Sequence, residues 1–335
     1  MLSKFENIGI KAISACLPQK RVSIAEYAPD LITTPKEAKR FTRSTGFANL
    51  AVTNAETTAD LCYQATLKIF AETEYKPKDI DALLFVTQTP NWELPATSHY
   101  LQDKLGLSQN IVCFDINEGC SGYEQGLYLA ATLIASKQCS NVLLLAGDTI
   151  SKITDPQDRA TRLIFGDAGT ASIISASDTD MYFHINTYGD RYKAILSDKV
   201  RVNKNEYEWG GYLHLEGMDI MNFTLNDVPE NINALLAFCG WSKDEISLYA
   251  CHQANKLILM SLADKLDVPH EKLPFVAENI GNTSSASIPL MFSCGVENEL
   301  NRVLLCGFGV GLACASCVAD LSKTKILNVV NYVND

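Results

Sequence analysis

No stretch of the chain carries the about 18 consecutive apolar residues that a membrane-spanning helix needs. The opening segment MLSKFENIGIKAISACLP places Lys4, Glu6 and Lys11 where a signal peptide stays apolar. Positive charge is scarce: 28 Lys and Arg stand against 39 Asp and Glu, for a formal net charge of −11. That balance argues against nucleic acid and anionic membranes as partners, because both attract a net basic face. No Pro/Gly-rich linker or low-complexity tract divides the sequence. CASC (residues 314–317) has no companion pair at zinc-site spacing, and it falls inside a strand-like run, so it reads as packing and no metal site is expected. The glycine run GFGVG (307–311) opens no βαβ unit with a downstream acidic residue, which removes the dinucleotide fingerprint.

What is present fits a globular enzyme, with 47% hydrophobic and 20% charged residues in 335. Eleven cysteines make an odd number without framework spacing. They read as reduced thiols of a cytoplasmic protein, and most, such as Cys62, Cys139, Cys239 and Cys294, as small core residues. Apolar runs DALLFVTQ (81–88), NIVCFDI (110–116), NVLLLAG (141–147) and TASIISAS (170–177) suggest strands covered on both faces. Helix-like stretches separate them, including SGYEQGLYLAATLIASKQ. The second half repeats the order of elements: EISLYACHQAN matches DALLFVTQTPN in role, and RVLLCGFGVG with LACASCVAD matches NVLLLAGD with GTASIISAS. The expected organisation is an α/β protein with one half over 1–178, a second over 179–321 after the polar stretch SDTDMYFHINTYGD, and a tail over 322–335.

Three side chains invite chemistry. Cys120, in DINEGCSGYEQGL, lies where a strand turns into a helix. A helix N-terminus favours thiolate, and Gly119 and Gly122 leave room for an acyl group; a packing cysteine would fit the same pattern. His252, in YACHQAN, sits where a strand meets a polar loop, a place that suits a structural histidine as well as a catalytic one. Asn282, in ENIGNTSSASIPL, fits a turn and helix cap as readily as a donor to substrate.

The ordered set DINEGCSGYEQGL, DPQDRATRLIFGDAGTASI, CHQAN, GNTSSASIPL and GFGVGL resembles the 3-oxoacyl-acyl-carrier-protein synthase III family of the thiolase superfamily, from about Ile8 to Asp320. The resemblance implies two similar βαβαβαββ halves packed as a five-layered α-β-α-β-α sandwich, in a homodimer. It implies that Cys120 accepts an acyl group from a thioester, with the N–H groups of Cys120 and Val310 as oxyanion hole. His252 and Asn282 would hold the enolate oxygen formed as a malonyl thioester loses carbon dioxide. Acyl-coenzyme A and malonyl-acyl-carrier protein would be substrates, and no cofactor is implied. Asn rather than an acidic residue at 282 favours decarboxylative condensation.

Departures from the family pattern point to a specialised member. AKRFTRSTGF offers Arg40 and Ser44, with Arg43 out of register, where a Trp and an Arg clasp adenine, so the primer could arrive on carrier protein. Arg159 matches an arginine that contacts coenzyme A. Leu94 stands where a Phe reaches across the dimer to close the partner's acyl pocket, with Trp92 near enough to refill it. Val310 replaces a glycine, and MFSCGVENELNRVLL is shortened. Lys265 matches a carrier-docking position and Lys256 is near it in sequence, yet nine residues of helix turn them to opposite faces. Rival readings are acyl transfer to an oxygen, nitrogen or carboxylate acceptor, a cysteine hydrolase, and a non-catalytic subunit, which would not need all three polar residues.

Overall fold

A computed structural model of the chain describes residues 1–197, 200–203, 206–208 and 211–333. Its described strands form two main sheets, and the buried, continuously apolar runs lie at their centres. Ala82–Val86 and Val303–Gly309 are buried at every residue, and each pairs in parallel: the first with Val112–Ile116 and Asn141–Asp148, the second with Leu248–Cys251. The seven-stranded sheet continues antiparallel through Ala168–Ala176 to Ile8–Leu17. The five-stranded sheet continues through Ala313–Ala319 and Met181–Thr187 to Leu2–Phe5.

Helices Gly122–Ala135 and Ser287–Ser293 lie between the sheets; Thr58–Glu72 and Thr97–Lys104 cover the outer face of one, and Gly217–Cys239 that of the other, with Lys256–Leu266 packed against it. This is the five-layered thiolase-like sandwich. The main core, with Leu84, Leu127, Leu144, Ile174, Leu305 and Met291, fills the space between the sheets. The inner helix comes very close to its sheet: a Cβ at Gly126 would stand 2.6 Å from Leu144 Cδ1, so only glycine fits there.

Three details differ from the sequence reading. The polar-looking stretch before Gly189 contains a strand, Met181–Thr187, whose alternate residues Met181 and Phe183 are buried. Lys325–Ile326 and Val330–Asn331, in the tail, pair in parallel with Ile8–Leu17. Cys294, expected in the core, is exposed beyond the Ser287–Ser293 helix. The chain changes sheets between Ala176 and Met181, while Leu2–Phe5 already belongs to the second sheet.

Glu124, in the first turn of the inner helix, is fully buried, and neither carboxylate oxygen has a hydrogen-bond partner. Burial pushes its pKa well above the ordinary carboxylate value. The folded state therefore keeps a proton that the unfolded chain releases, and this group costs stability as pH rises through that interval, by up to about 1.4 kcal/mol per pH unit. In urea unfolding between pH 5 and 8, Glu124→Gln is expected to lose that falling component. Identical pH slopes in the two proteins would contradict it.

Candidate active site

Cys120 is carried by the turn that joins the Val112–Ile116 strand to the inner helix. Gly122 N–H donates to Gly119 O at 2.7 Å, and the helix begins at Gly122 with Ser121 as N-cap. His252 follows the Leu248–Cys251 strand directly, and its N–H donates to Cys306 O at 2.9 Å. Asn282 lies on a bridge to Phe165, where its N–H donates to Ile164 O at 2.9 Å and its O accepts from Gly166 N–H at 3.0 Å. The three side chains line one cavity of about 320 Å³, with walls of Ile164, Phe165, Ile195, Leu213, Ile220 and Phe308.

The local geometry leaves specific atoms free. The His252 Nδ1 is 2.8 Å from Ser287 Oγ, and the ring stands edge-on to Phe308, with centroids 5.6 Å apart. Asn282 Oδ1 accepts from Ser284 N–H at 2.9 Å, so this residue does close a turn; its Nδ2 bonds to none of the described residues. Val310 and Ser284 line the cavity together with Cys120, and their polar groups partly offset the effect of burial on its thiol. Gly309, at φ +153°, passes so near that a Cβ would stand 2.8 Å from that sulfur.

The electrostatics correct one expectation. A helix end predicts available thiolate, but Cys120 precedes the N-cap and is buried. Desolvation outweighs the bond from Val310 N–H, Asp148 adds a like charge, and the thiol is pushed up to about 11. His252 is driven down to about 3, mainly by burial, so its imidazole is neutral at physiological pH. The site holds a protonated nucleophile and a neutral ring.

The other candidate residues separate. Val310 lines the cavity. Arg159 is exposed beside Ala160, which lines the cavity, and donates to Leu31 O at 2.9 Å. Lys256 opens its helix next to Asn255 and Ile258, both in the cavity wall, and Lys265 lies nine residues on. That is about 13.5 Å of helix rise, so the two lysines form no common patch. Leu94 is 82% exposed and lines neither this cavity nor the one beside it. Among the described residues, no group of three or more His, Cys, Asp or Glu side chains is arranged to hold a metal.

Sequence reasoning missed Asp148. Its buried carboxylate accepts from Gln88 N–H at 2.7 Å, from the hydroxyls of Thr87 and Thr89 at 3.1 and 3.2 Å, and from Ser285 Oγ at 2.9 Å. The available signal was an acidic residue ending an apolar strand. Ser284 and Ser287 were also missed, within a stretch read as a turn and cap.

Residues 114–189 match the family profile described as 3-oxoacyl-[acyl-carrier-protein (ACP)] synthase III, and residues 236–321 match its C-terminal counterpart. The beta-ketoacyl-[acyl-carrier-protein] synthase III of Acholeplasma laidlawii is 32% identical over 320 residues, covering 91% of this chain and 99% of its own. A 3-oxoacyl-(acyl-carrier protein) synthase from Burkholderia xenovorans has a crystal structure that matches with a TM-score of 0.92 at 32% identity, over 99% of each chain. The priming beta-ketosynthase of the R1128 polyketide pathway, at 24% identity and a TM-score of 0.84, shares the fold over 94% of this chain and 96% of its own.

A thiol held protonated up to about 11 reacts through its small thiolate fraction. Iodoacetamide labelling of Cys120, followed by peptide mass spectrometry, is expected to accelerate about tenfold per pH unit from pH 7 to 10. A plateau near pH 8 would contradict the burial effect.

Proposed function

Because the chain belongs to the 3-oxoacyl-[acyl-carrier-protein] synthase III family, we propose that it joins an acyl primer to malonyl-acyl-carrier protein by decarboxylative condensation, with Cys120, His252 and Asn282 as the catalytic residues. The observation that carries this reading is the common cavity wall of those three side chains, drawn from distant segments.

Cys120 Sγ attacks the carbonyl carbon of the primer thioester. The carbonyl oxygen takes the N–H groups of Cys120 and Val310, the latter residue in the same cavity wall. The carrier sulfur leaves with the proton that Cys120 gives up, so loading needs no external base. In the second half-reaction the bond from the malonyl carboxylate to its α-carbon breaks and carbon dioxide departs. The electron pair develops as an enolate whose oxygen faces His252 Nε2 and Asn282 Nδ2. We assign the proton of the neutral imidazole to Nε2, with Ser287 at Nδ1. The α-carbon then attacks the acyl carbon, and Cys120 Sγ leaves and regains a proton. One proton is consumed, and no cofactor is required for the balance.

The mouth supports a phosphate-bearing carrier. Arg159 and Lys256 each directly adjoin a residue of the cavity wall, and the Pro35–Thr45 helix, with exposed Arg40 and Arg43, packs on the Lys256–Leu266 helix. Primer delivery by coenzyme A or by carrier protein uses this same basic rim. A homodimer is part of the proposal: among the described residues Val112–Ile116 has a neighbour on one side only, with Val112 and Phe114 38% and 55% exposed. Such an edge favours pairing with a second copy. Eleven free cysteines favour a reducing compartment, the cytoplasm.

Carbon dioxide release from malonyl-acyl-carrier protein is expected to fall about 10²–10³-fold in His252→Ala and in Asn282→Ala. Cys120→Ala should abolish acyl loading while still releasing carbon dioxide. Undiminished release in both the His252 and Asn282 variants would overturn the proposed roles.

A further inference from the structure

A second cavity, of about 550 Å³, adjoins the first; Gln88, Ile150, Ile195, Leu213 and Val310 line both. The two differ in electrical character. The first holds Cys120, His252 and Asn282, with Gln88, Asn255 and Ser284, in a largely apolar wall that includes no acidic residue among those described. The second is lined by Glu93 and Asp115 with Thr87, Asn117 and Ser197, and among the described residues no Lys or Arg lines it. Two acidic side chains disfavour a phosphorylated carrier arm in the second, and the acyl end of the primer is left to face it.

Gln88 stands at the junction. Its N–H is fixed by Asp148 at 2.7 Å, just beyond the Ala82–Val86 strand, so its position is set by the sheet. The side chain lies over Gly119, the residue before Cys120, and a Cβ at Gly119 would collide with Gln88 Oε1. Val310 Cγ2 approaches the same point at 3.3 Å. Within the chain, the Gln88 carboxamide bonds to none of the described residues. Two donors and an acceptor thus face the space where the first carbons of a Cys120-bound acyl group must pass.

An unsubstituted alkyl chain there would strip water from the carboxamide and return nothing. A chain with a hydroxyl or oxo group would replace that water bond for bond, and sites built this way reject the analogue that lacks the polar group. Building on the proposed loading of Cys120, we propose that Gln88 determines primer specificity, selecting acyl groups that carry a hydroxyl or oxo substituent within the first few carbons of the thioester. Asp115 is already occupied, accepting from the N–H groups of Thr97 and Ser98 at 2.6 and 2.8 Å. Gln88 lines both this cavity and the one that holds Cys120, which places its carboxamide to make the contact.

The test is a competition between butyryl and 3-hydroxybutyryl thioesters of N-acetylcysteamine and, separately, of coenzyme A, read as the ratio of the two adducts on Cys120 by intact-protein mass spectrometry. The wild-type protein is expected to load the hydroxy acyl group about tenfold faster. Gln88→Leu should reverse that preference, and Gln88→Asn should keep its direction. Butyryl loading of the Gln88→Leu protein at the wild-type rate or faster establishes that fold and nucleophile are intact. A wild-type preference for butyryl, or a ratio unchanged by Gln88→Leu, overturns the specificity role alone. If no thioester loads Cys120 in any protein, the acyl-acceptor reading falls, and the specificity role with it.

Discussion

The site hangs on one buried carboxylate. Asp148 ends the Asn141–Asp148 strand and gathers donors from two segments that are far apart in sequence: Thr87, Gln88 and Thr89 beyond one strand, and Ser285 before the Ser287–Ser293 helix. Burial raises its pKa, while bonds from the Gln88 N–H and the serine hydroxyls oppose that rise. A buried carboxylate left without such partners would be expensive, so the two segments are bound to one another through it. Ser284, the neighbour of Ser285, closes the Asn282 turn with its N–H and lines the cavity with Cys120. Ser287, three residues on, meets His252. One anion thus sets the spacing of nucleophile, ring and carboxamide.

Around that anchor the reacting groups stay uncharged. Cys120 is kept a thiol and His252 a neutral ring, both by desolvation. In an apolar cavity this arrangement has a purpose: donors in place before the reaction interact most strongly with charge that appears only during it. A resident imidazolium beside the sulfur would bind a malonyl carboxylate and stabilise the ground state. In the proposed reaction, a neutral ring paired with an amide reserves its hydrogen bonds for the enolate oxygen. The glycine at 309 lets the backbone pass close to the sulfur, since a Cβ there would stand 2.8 Å from it.

Much of this was legible in the sequence. The continuous apolar runs gave the inner strands, because burial on both faces leaves no room for alternation. The ordered Cys, His-Gln-Ala-Asn and Gly-Asn-Thr-Ser segments pointed to three side chains that share one cavity, because each sits at the end of an element and so keeps its local signature. What escaped depends on contacts between distant parts. Leu2–Phe5 joins a sheet built mostly from the second half, and Met181–Thr187 alternates mildly enough to pass for a polar boundary. The tail strands are two residues each, too short for any periodicity. Asp148, Glu124 and Gln88 are ordinary in sequence. Their importance comes from which donors surround them, or from the absence of any, and only the folded chain shows that.

The central claim is that an acyl group on Cys120 and a carbanion held by His252 and Asn282 meet in one cavity. It is tested most directly by a single turnover. Protein acylated on Cys120 with a carboxyl-labelled primer is mixed with malonyl-acyl-carrier protein, and the label is followed by mass spectrometry. The account predicts that the label appears at the 3-oxo carbon of a chain lengthened by two carbons, with one carbon dioxide for each new carbon–carbon bond. Label recovered only as free acid, or as an ester or amide without carbon dioxide release, would contradict it.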